Sequence, residues 1–156
     1  MLNQLTAVRL RDQLASLDTF VASKTAQEWN REPASGKWSA RENLAHLCRY
    51  HEIFLDRLNR IVSEAQPHFA RYRAEDDERW SSWSSQAVDL LLARIRELRR
   101  EVLSKINSLS DEQLARTGIH PVLGEMDIAL WLEFFLLHEA HHLYAILFRL
   151  LESSTG

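Results

Sequence analysis

An all-α fold, a four-helix bundle, is what this 156-residue sequence predicts. Apolar residues recur at intervals of three and four over several long stretches. The four glycines and three prolines fall between those stretches rather than inside them. The connections ahead of the last stretch are short, as bundles require. The length fits one domain, residues 1–156, large enough to bury roughly 70% of its unfolded surface without disulfides or a structural metal. Any bound metal is therefore expected to be functional and not a folding staple.

The first helix is expected over residues 3–23, where Leu10, Leu14, Leu17 and Val21 share a face. The segment from Arg31 to Lys37, with Pro33 and Gly36, ends it. A second helix begins at Ser39, because Ser39-Ala40-Arg41-Glu42 has the form of a capping box: the hydroxyl accepts from the Glu42 amide while the Glu42 carboxylate reaches back. It places Leu44, Leu47, His51, Leu55, Leu58 and Val62 on one face and His46, Tyr50, Ile53 and Arg57 on the next. The connector Gln66 to Ser85 has no sustained period. It carries Pro67, His68, Trp80 and Trp83, and aromatics are costly to leave in water, so an ordered excursion is expected. The third helix, Gln86–Ser108, buries Val88, Leu91, Leu92, Ile95, Val102 and Ile106 and solvates Arg94, Glu97, Arg100 and Glu101. Ser110 caps a short turn from Asp111 to Ala115, and His120 to Gly124 reads as a loop. The last helix, Met126–Glu152, is apolar on almost every side in its first turns, which suits one face on the bundle and another on a second subunit. A homodimer is the expectation, and no strand is predicted anywhere.

Charge and cysteine content narrow the function classes. Nineteen Lys and Arg against twenty-two Asp and Glu give a net charge of −3, with the basic residues dispersed. This argues against a nucleic-acid module, which depends on phosphate neutralisation. Cys48 is the single cysteine, so no intrachain disulfide can form and a reducing compartment is the natural setting. Arg9, Arg11 and Asp12 interrupt the early apolar positions, so no secretion signal is readable. The apolar run Ile128–Leu137 contains Glu133 and is too short to span a bilayer. A cytoplasmic protein with no membrane partner is expected.

The chemistry is expected in the histidines. His138 and His142, at i and i+4 on the last helix, project from one face within about 40° of each other around the axis and can reach a single metal ion. His46, on the second helix, is the candidate third ligand. Two neutral imidazoles in an apolar setting need partners that a metal supplies at once. The alternative is a pair of buried histidines hydrogen-bonded to neighbours. The segment also matches H-E-x-x-H, which casts Glu139 as the general base of a zinc protease. Against this, the usual downstream third ligand is missing and no strand is predicted to hold a peptide. His141 should face a bundle edge and His51 the core. His68 and His120 fall in loops, His120 in one that could fold over the bundle mouth. Cys48 should be a small buried hydrophobe. Trp38 and Trp131 are core anchors in this reading, Trp80 and Trp83 a roof over the pocket.

Trp38-Ser39-Ala40-Arg41-Glu42-Asn43-Leu44-Ala45-His46-Leu47 together with the closing His138-Glu139-Ala140-His141-His142-Leu143 resembles the DinB-like (DinB/YfiT) superfamily. Its pattern is a W-S-x-x-E-x-L-x-H-L helix start and a final H-x-x-x-H. Leu109 to Leu114, followed by His120-Pro121 and Gly124, is similar to the family's approach to its last helix, so the resemblance spans nearly the whole chain. It implies an up-down-down-up four-helix bundle and a metal held by His46, His138 and His142. It also implies a homodimer. Relatives include transferases and isomerases that use low-molecular-weight thiols, beside many members known only as inferred metal-dependent hydrolases. Glu139 often corresponds to Asp in relatives, which weakens a general-base role carried over to it.

A neutral three-histidine set leaves a divalent ion its full charge and an exchangeable position. Two enzymatic readings follow for a small-molecule substrate. One is hydrolysis by metal-activated water, with Glu139 or Glu42 managing protons. The other is transfer to a thiol supplied from outside, bound as thiolate. The alternative from another class is a non-catalytic dimeric metal-binding or stress-response module. For an enzyme, Glu42, Arg49, Tyr50 and Arg149 are the polar groups that could line the mouth. Imidazole donors suit Zn, Ni, Cu and Fe alike, and Zn or Ni is the expectation taken forward.

Overall fold

The computed structural model describes residues 2–22 and 24–152. Ser23, the expected end of the first helix, and the last four residues lie outside them. Where one first helix was expected there are α1 (Gln4–Asp12), a 3₁₀ turn (Gln13–Ala15) and α2 (Ser16–Val21). The tightened turn falls at Gln13, whose amide reaches into the bundle to donate to the Leu136 carbonyl at 2.9 Å and to Glu139 at 2.8 Å. Then come α3 (Ala26–Asn30), α4 (Ala40–Ser63), α5 (Trp80–Ser84), α6 (Val88–Asn107), α7 (Asp111–Leu114) and α8 (Ile128–Glu152). The Ser39 capping box is in place at the start of α4: Ser39 Oγ accepts from the Glu42 amide at 3.2 Å, and Glu42 Oε2 accepts from the Ser39 amide at 2.8 Å. Two further boxes, Thr25/Glu28 and Ser110/Gln113, start α3 and α7.

The contacts define an up-down-down-up bundle. Cys48 meets Leu91, and Glu52 meets Arg94, so α4 and α6 run parallel. Asn43 meets His142 and Phe54 meets Phe135, so α4 and α8 run antiparallel. Leu10 meets Arg99 and Asp18 meets Arg96, which sets α1 and α2 against the direction of α6. Parallel neighbours need a long return, and the segment from Glu64 to Ala87 supplies it. That segment is strapped along α4 by Arg57 on the Ala70 carbonyl at 3.1 Å, by Arg49 on Asp77 at 2.6 Å and by Arg41 on the Ser84 carbonyl. The ordered excursion expected from its aromatics is what the structure contains.

The expectation of no strand is overturned. Thr117–His120 (β1) and Gly124–Asp127 (β2) form an antiparallel hairpin, Thr117 opposite Asp127, and His68 bridges to Ile119. Four-residue strands are too short for alternation to register in sequence. The hairpin lies close on α4, since a Cβ at Gly118 would stand 2.8 Å from Phe69 and 2.9 Å from Ile61. Gly124 turns it with φ +76°. His120 is therefore not a loop residue over the mouth. It ends β1, buried against Trp131 and Phe134, and its Nδ1 accepts from the amides of Val122 and Leu123.

Two apolar clusters fill the interior. One gathers Leu14, Leu17, Trp29, Leu44, Leu47 and Ile95, the other Phe54, Leu58, Ile61, Ile106, Trp131 and Phe135. Along each helix a polar layer falls between them, made of Gln13, His51, Arg99 and Glu139.

Candidate metal centre

The helix pitch turns His138 and His142 of α8 toward His46 of α4, and the three offer ligand atoms that all lie within 4.8 Å of one another. Nε2 of His46 and Nε2 of His138 stand 3.1 Å apart, close to the roughly 3.3 Å edge of a tetrahedron built on metal–nitrogen bonds of about 2.05 Å. Burial pushes all three below the ordinary histidine range, His46 to about 4, His142 to about 3 and His138 likewise downward, with neighbouring histidines adding to the effect. They are neutral at pH 7, the state a metal ligand requires.

Their surroundings fit a cation better than a plain core. Without an ion, the 3.1 Å pair shares one proton between two lone pairs. A divalent ion at the convergence point takes three lone pairs at once. His142 is further prepared. Its Nδ1–H donates to Asn43 Oδ1 at 2.8 Å, and the Asn43 amide is fixed in turn by donating to the Ser39 carbonyl at 2.8 Å. This leaves the His142 Nε2 lone pair free for the centre, the outer-shell arrangement that metal-ligating histidines commonly have. Asn43 was not singled out from the sequence. The signal available was its place one turn before His46 on α4.

Aromatic rings enclose the centre. The Tyr50 ring lies 4.0 Å from that of His138, Tyr72 5.6 Å from His46, and Trp38 4.9 Å from His46. Trp80 roofs the site as expected, 5.0 Å from Trp38 and 6.3 Å from His46. Trp83 does not: it is buried in the first apolar cluster with Leu91 and Leu92. Trp38 is half-buried over the histidines rather than a core anchor, whereas Trp131 is fully buried. On one side the site opens into a pocket of about 550 Å³ lined by Trp38, Asn43, Glu75, His142, Phe148 and Arg149, among others.

Several expected site residues are elsewhere. Glu139 is fully buried on another side of α8, paired with Arg99 and bonded to Gln13, so it is not placed to act as a base at the histidines. Burial raises its pKa against the lowering pull of Arg99. Glu42 is spent in the capping box, accepting also from Ser39 Oγ at 2.8 Å. Arg49 is held by Asp77 and Glu52. His51 is a core histidine, its Nδ1 2.7 Å from the Leu47 carbonyl and its Nε2 3.4 Å from Glu139. Cys48 is buried, its thiol aimed at the Leu91 carbonyl, and burial pushes its pKa up, so it is no nucleophile. His141 sits exposed on the pocket rim.

No helix among the described residues is long and apolar enough to cross a membrane. Similarity to known proteins points the same way as the geometry. A Bacillus cereus protein named "Putative metal-dependent hydrolase" is 27% identical over 109 residues, which are 69% of this chain and 61% of that protein. An Oceanobacillus iheyensis protein of the same description is 24% identical over 137 residues, 86% of this chain and 73% of its own. The match thus spans less than two thirds of the first relative's length. The solved structure of YfiT from Bacillus subtilis, described as a probable metal-dependent hydrolase with an unusual four-helix bundle topology, superposes with a TM-score of 0.77 at 21% identity. It covers 96% of this chain and 85% of that one, and at this identity the likeness is one of fold. Residues 9–146 match the DinB superfamily profile, and the chain belongs to that superfamily.

Proposed function

We propose that this protein is a metal-dependent hydrolase of small molecules, with a divalent ion, Zn or Ni, held by His46, His138 and His142. The observation that carries the reading is the convergence of three neutral imidazoles, one of them oriented by Asn43, at the wall of an open pocket. An ion held by three neutral ligands supplies a Lewis acid and lowers the pKa of a coordinated water or thiol. The chain's own residues do the rest. Trp38, Tyr50, Tyr72 and Trp80 exclude bulk water on the closed sides, which strengthens electrostatic interactions inside. On the open side Glu75 is the carboxylate among the lining residues, and it takes the proton-managing role in this reading. Trp38, Tyr144 and Phe148 offer apolar surface to the body of a substrate, and Lys37 offers it a positive charge.

A second reading, transfer to an external thiol, draws on the engagement of Glu139 and Glu42 in structural contacts. A thiol lowered in pKa by the ion needs no carboxylate base, and Cys48 is buried away from the pocket, so the thiol comes from outside. The test begins with metal content by mass spectrometry on untagged protein. About one equivalent per chain, lost in His142→Ala, supports the site, and hydrolysis of small esters and amides is then compared with thiol–electrophile pairs. No metal and no uptake on reconstitution would leave a non-catalytic bundle as the reading.

A further inference from the structure

Among the described residues two arginines are buried, and they are compensated differently. Arg99 has the Glu139 carboxylate. Arg57, 5% exposed, forms no ion pair among those residues. Its Nη1 donates to Tyr50 Oη and its Nη2 to the Ala70 carbonyl, both at 3.1 Å. Its guanidinium carbon lies 5.3 to 5.7 Å from the ring centres of Tyr50, Phe69 and Trp131. Neutral partners and ring faces offset part of the cost of burying a cation, but an arginine is almost never buried this far without a counter-charge. The two bonds also leave most of the five guanidinium N–H donors unused.

Arg57 lines a cavity of about 320 Å³ between α4 and the return segment. Ile53, Phe69 and Tyr72 give the cavity apolar wall, and exposed Arg71 brings a second cation outside any ion pair. The acids around it are largely engaged, Asp77 by Arg49 at 2.6 Å and Asp76 by Arg73 at 3.6 Å. Asp56 is exposed and interacts with Arg60 of its own helix. The local balance is therefore positive. Its field reaches His120, whose pKa is lowered by burial first and by Arg57 and Arg71 next. Tyr72 stands between this cavity and the histidine centre, its ring stacked on His46 and its hydroxyl donating to Asp77 at 3.1 Å. The cavity thus lies beside the centre and outside it. A flat guanidinium with spare donors selects a carboxylate, which accepts two parallel N–H bonds. The apolar wall selects a hydrophobic body, and a cavity at the lower end of the usual ligand range of roughly 300–1,000 Å³ holds a compact one.

We propose that this cavity is a second ligand site, which binds a small apolar monocarboxylate with its carboxylate on Arg57 and Arg71 and its body against Ile53, Phe69 and Tyr72. The site needs no metal, so it stands or falls independently of the hydrolase reading. The probe is benzoate, with benzamide as its neutral isostere, added to the full chain with and without Zn and followed by heteronuclear NMR. Benzoate should shift the amides of Ala70, Arg71 and Tyr72 saturably, with a Kd below about 10 mM that Zn leaves unchanged, and benzamide should bind about tenfold more weakly or worse. Arg71→Glu, an exposed change, should weaken benzoate by about tenfold or more, because it sets a like charge in the site. Arg57→Lys keeps the charge and loses the fork, and should weaken it by a similar factor at unchanged helicity by circular dichroism. Where Arg57→Lys fails to fold, Arg71→Glu decides alone. No saturable shift up to about 50 mM benzoate overturns the proposal, as does equal binding of benzamide or an unchanged Kd in Arg71→Glu. Binding that requires Zn, or shifts centred on His46, His138 and His142, would put the carboxylate at the metal centre and also overturns it. Inorganic phosphate binding more tightly than benzoate at the same amides overturns the choice of a carboxylate with an apolar body.

Discussion

His138 and Glu139 are neighbours in sequence and stand about 100° apart around α8, yet they belong to opposite kinds of polar site. Glu139 faces inward, where Arg99 and Gln13 bond both its oxygens and His51 lies 3.4 Å away. Arg99 also donates to the Leu10 carbonyl at 2.7 Å, so this layer ties α1, α4, α6 and α8 together. His138 faces its partner histidines, where the ring nitrogens of His46 and His138 outnumber the protons and donors that could satisfy them. The first cluster pairs a carboxylate with a guanidinium, although His51 Nε2 and Arg99 Nε lack a hydrogen-bond partner, whereas the second brings three neutral imidazoles together. Internal charge pairing, more than burial or motif, separates the core ion pair from the candidate metal site.

The largest effect that tests this contrast is on stability. Glu139→Ala leaves Arg99 buried without its partner and should cost about 3–5 kcal/mol in urea unfolding. Metal bound per folded chain should be unchanged. Loss of metal at full stability would mean that Glu139 serves the histidines after all. The reciprocal change, His46→Ala, should weaken metal binding by more than about 100-fold while leaving the fold within about 1–2 kcal/mol of wild type, as isothermal titration and urea unfolding would show. Asn43→Ala acts one step out. It removes the acceptor that holds the His142 ring and should weaken metal binding by about 10–100-fold, with Asn43→Asp restoring most of it. A wild-type Kd in Asn43→Ala would remove Asn43 from the site.

A last effect is on pH dependence, and its sign is fixed by the direction of the shifts. His46 is pushed down to about 4, and His51 and His142 to about 3, all by burial. Below the ordinary histidine value of about 6.5 the unfolded chain therefore binds more protons than the folded one. Stability is fully present above pH 6.5, falls as pH drops through 6 and 5, and levels off once the folded-state values are passed. A saturating divalent ion should move the fall to lower pH by holding the metal-site histidines neutral. An ion that left the acid unfolding curve where it was would argue against these rings as its ligands.

Much of this was legible from residue order because it depends on local geometry. Periodicity located α4, α6 and α8 to within a few residues, and Ser39-Ala40-Arg41-Glu42 announced its own cap. The i, i+4 spacing put His138 and His142 on one face, and His46 was found as the outlying third. Residue order could not say which neighbour each side chain of α8 would meet. H-E-x-x-H is satisfied letter for letter, and only packing against Arg99 shows that its glutamate is a core ion pair. The hairpin escaped because strands of four residues are shorter than the pattern that betrays a strand. Trp80 and Trp83 looked equivalent, and the position of α5 against α4 sent one over the histidines and the other into the core. Asn43 gained its role only when antiparallel packing brought α8 within 2.8 Å of it. Sequence by itself determined the helices, their caps and the donor types, since those follow from the chain's own pitch and hydrogen-bonding needs over a few residues. Only the tertiary structure decided which polar groups were satisfied and which were left reaching for a partner, because that depends on atoms brought together from far along the chain.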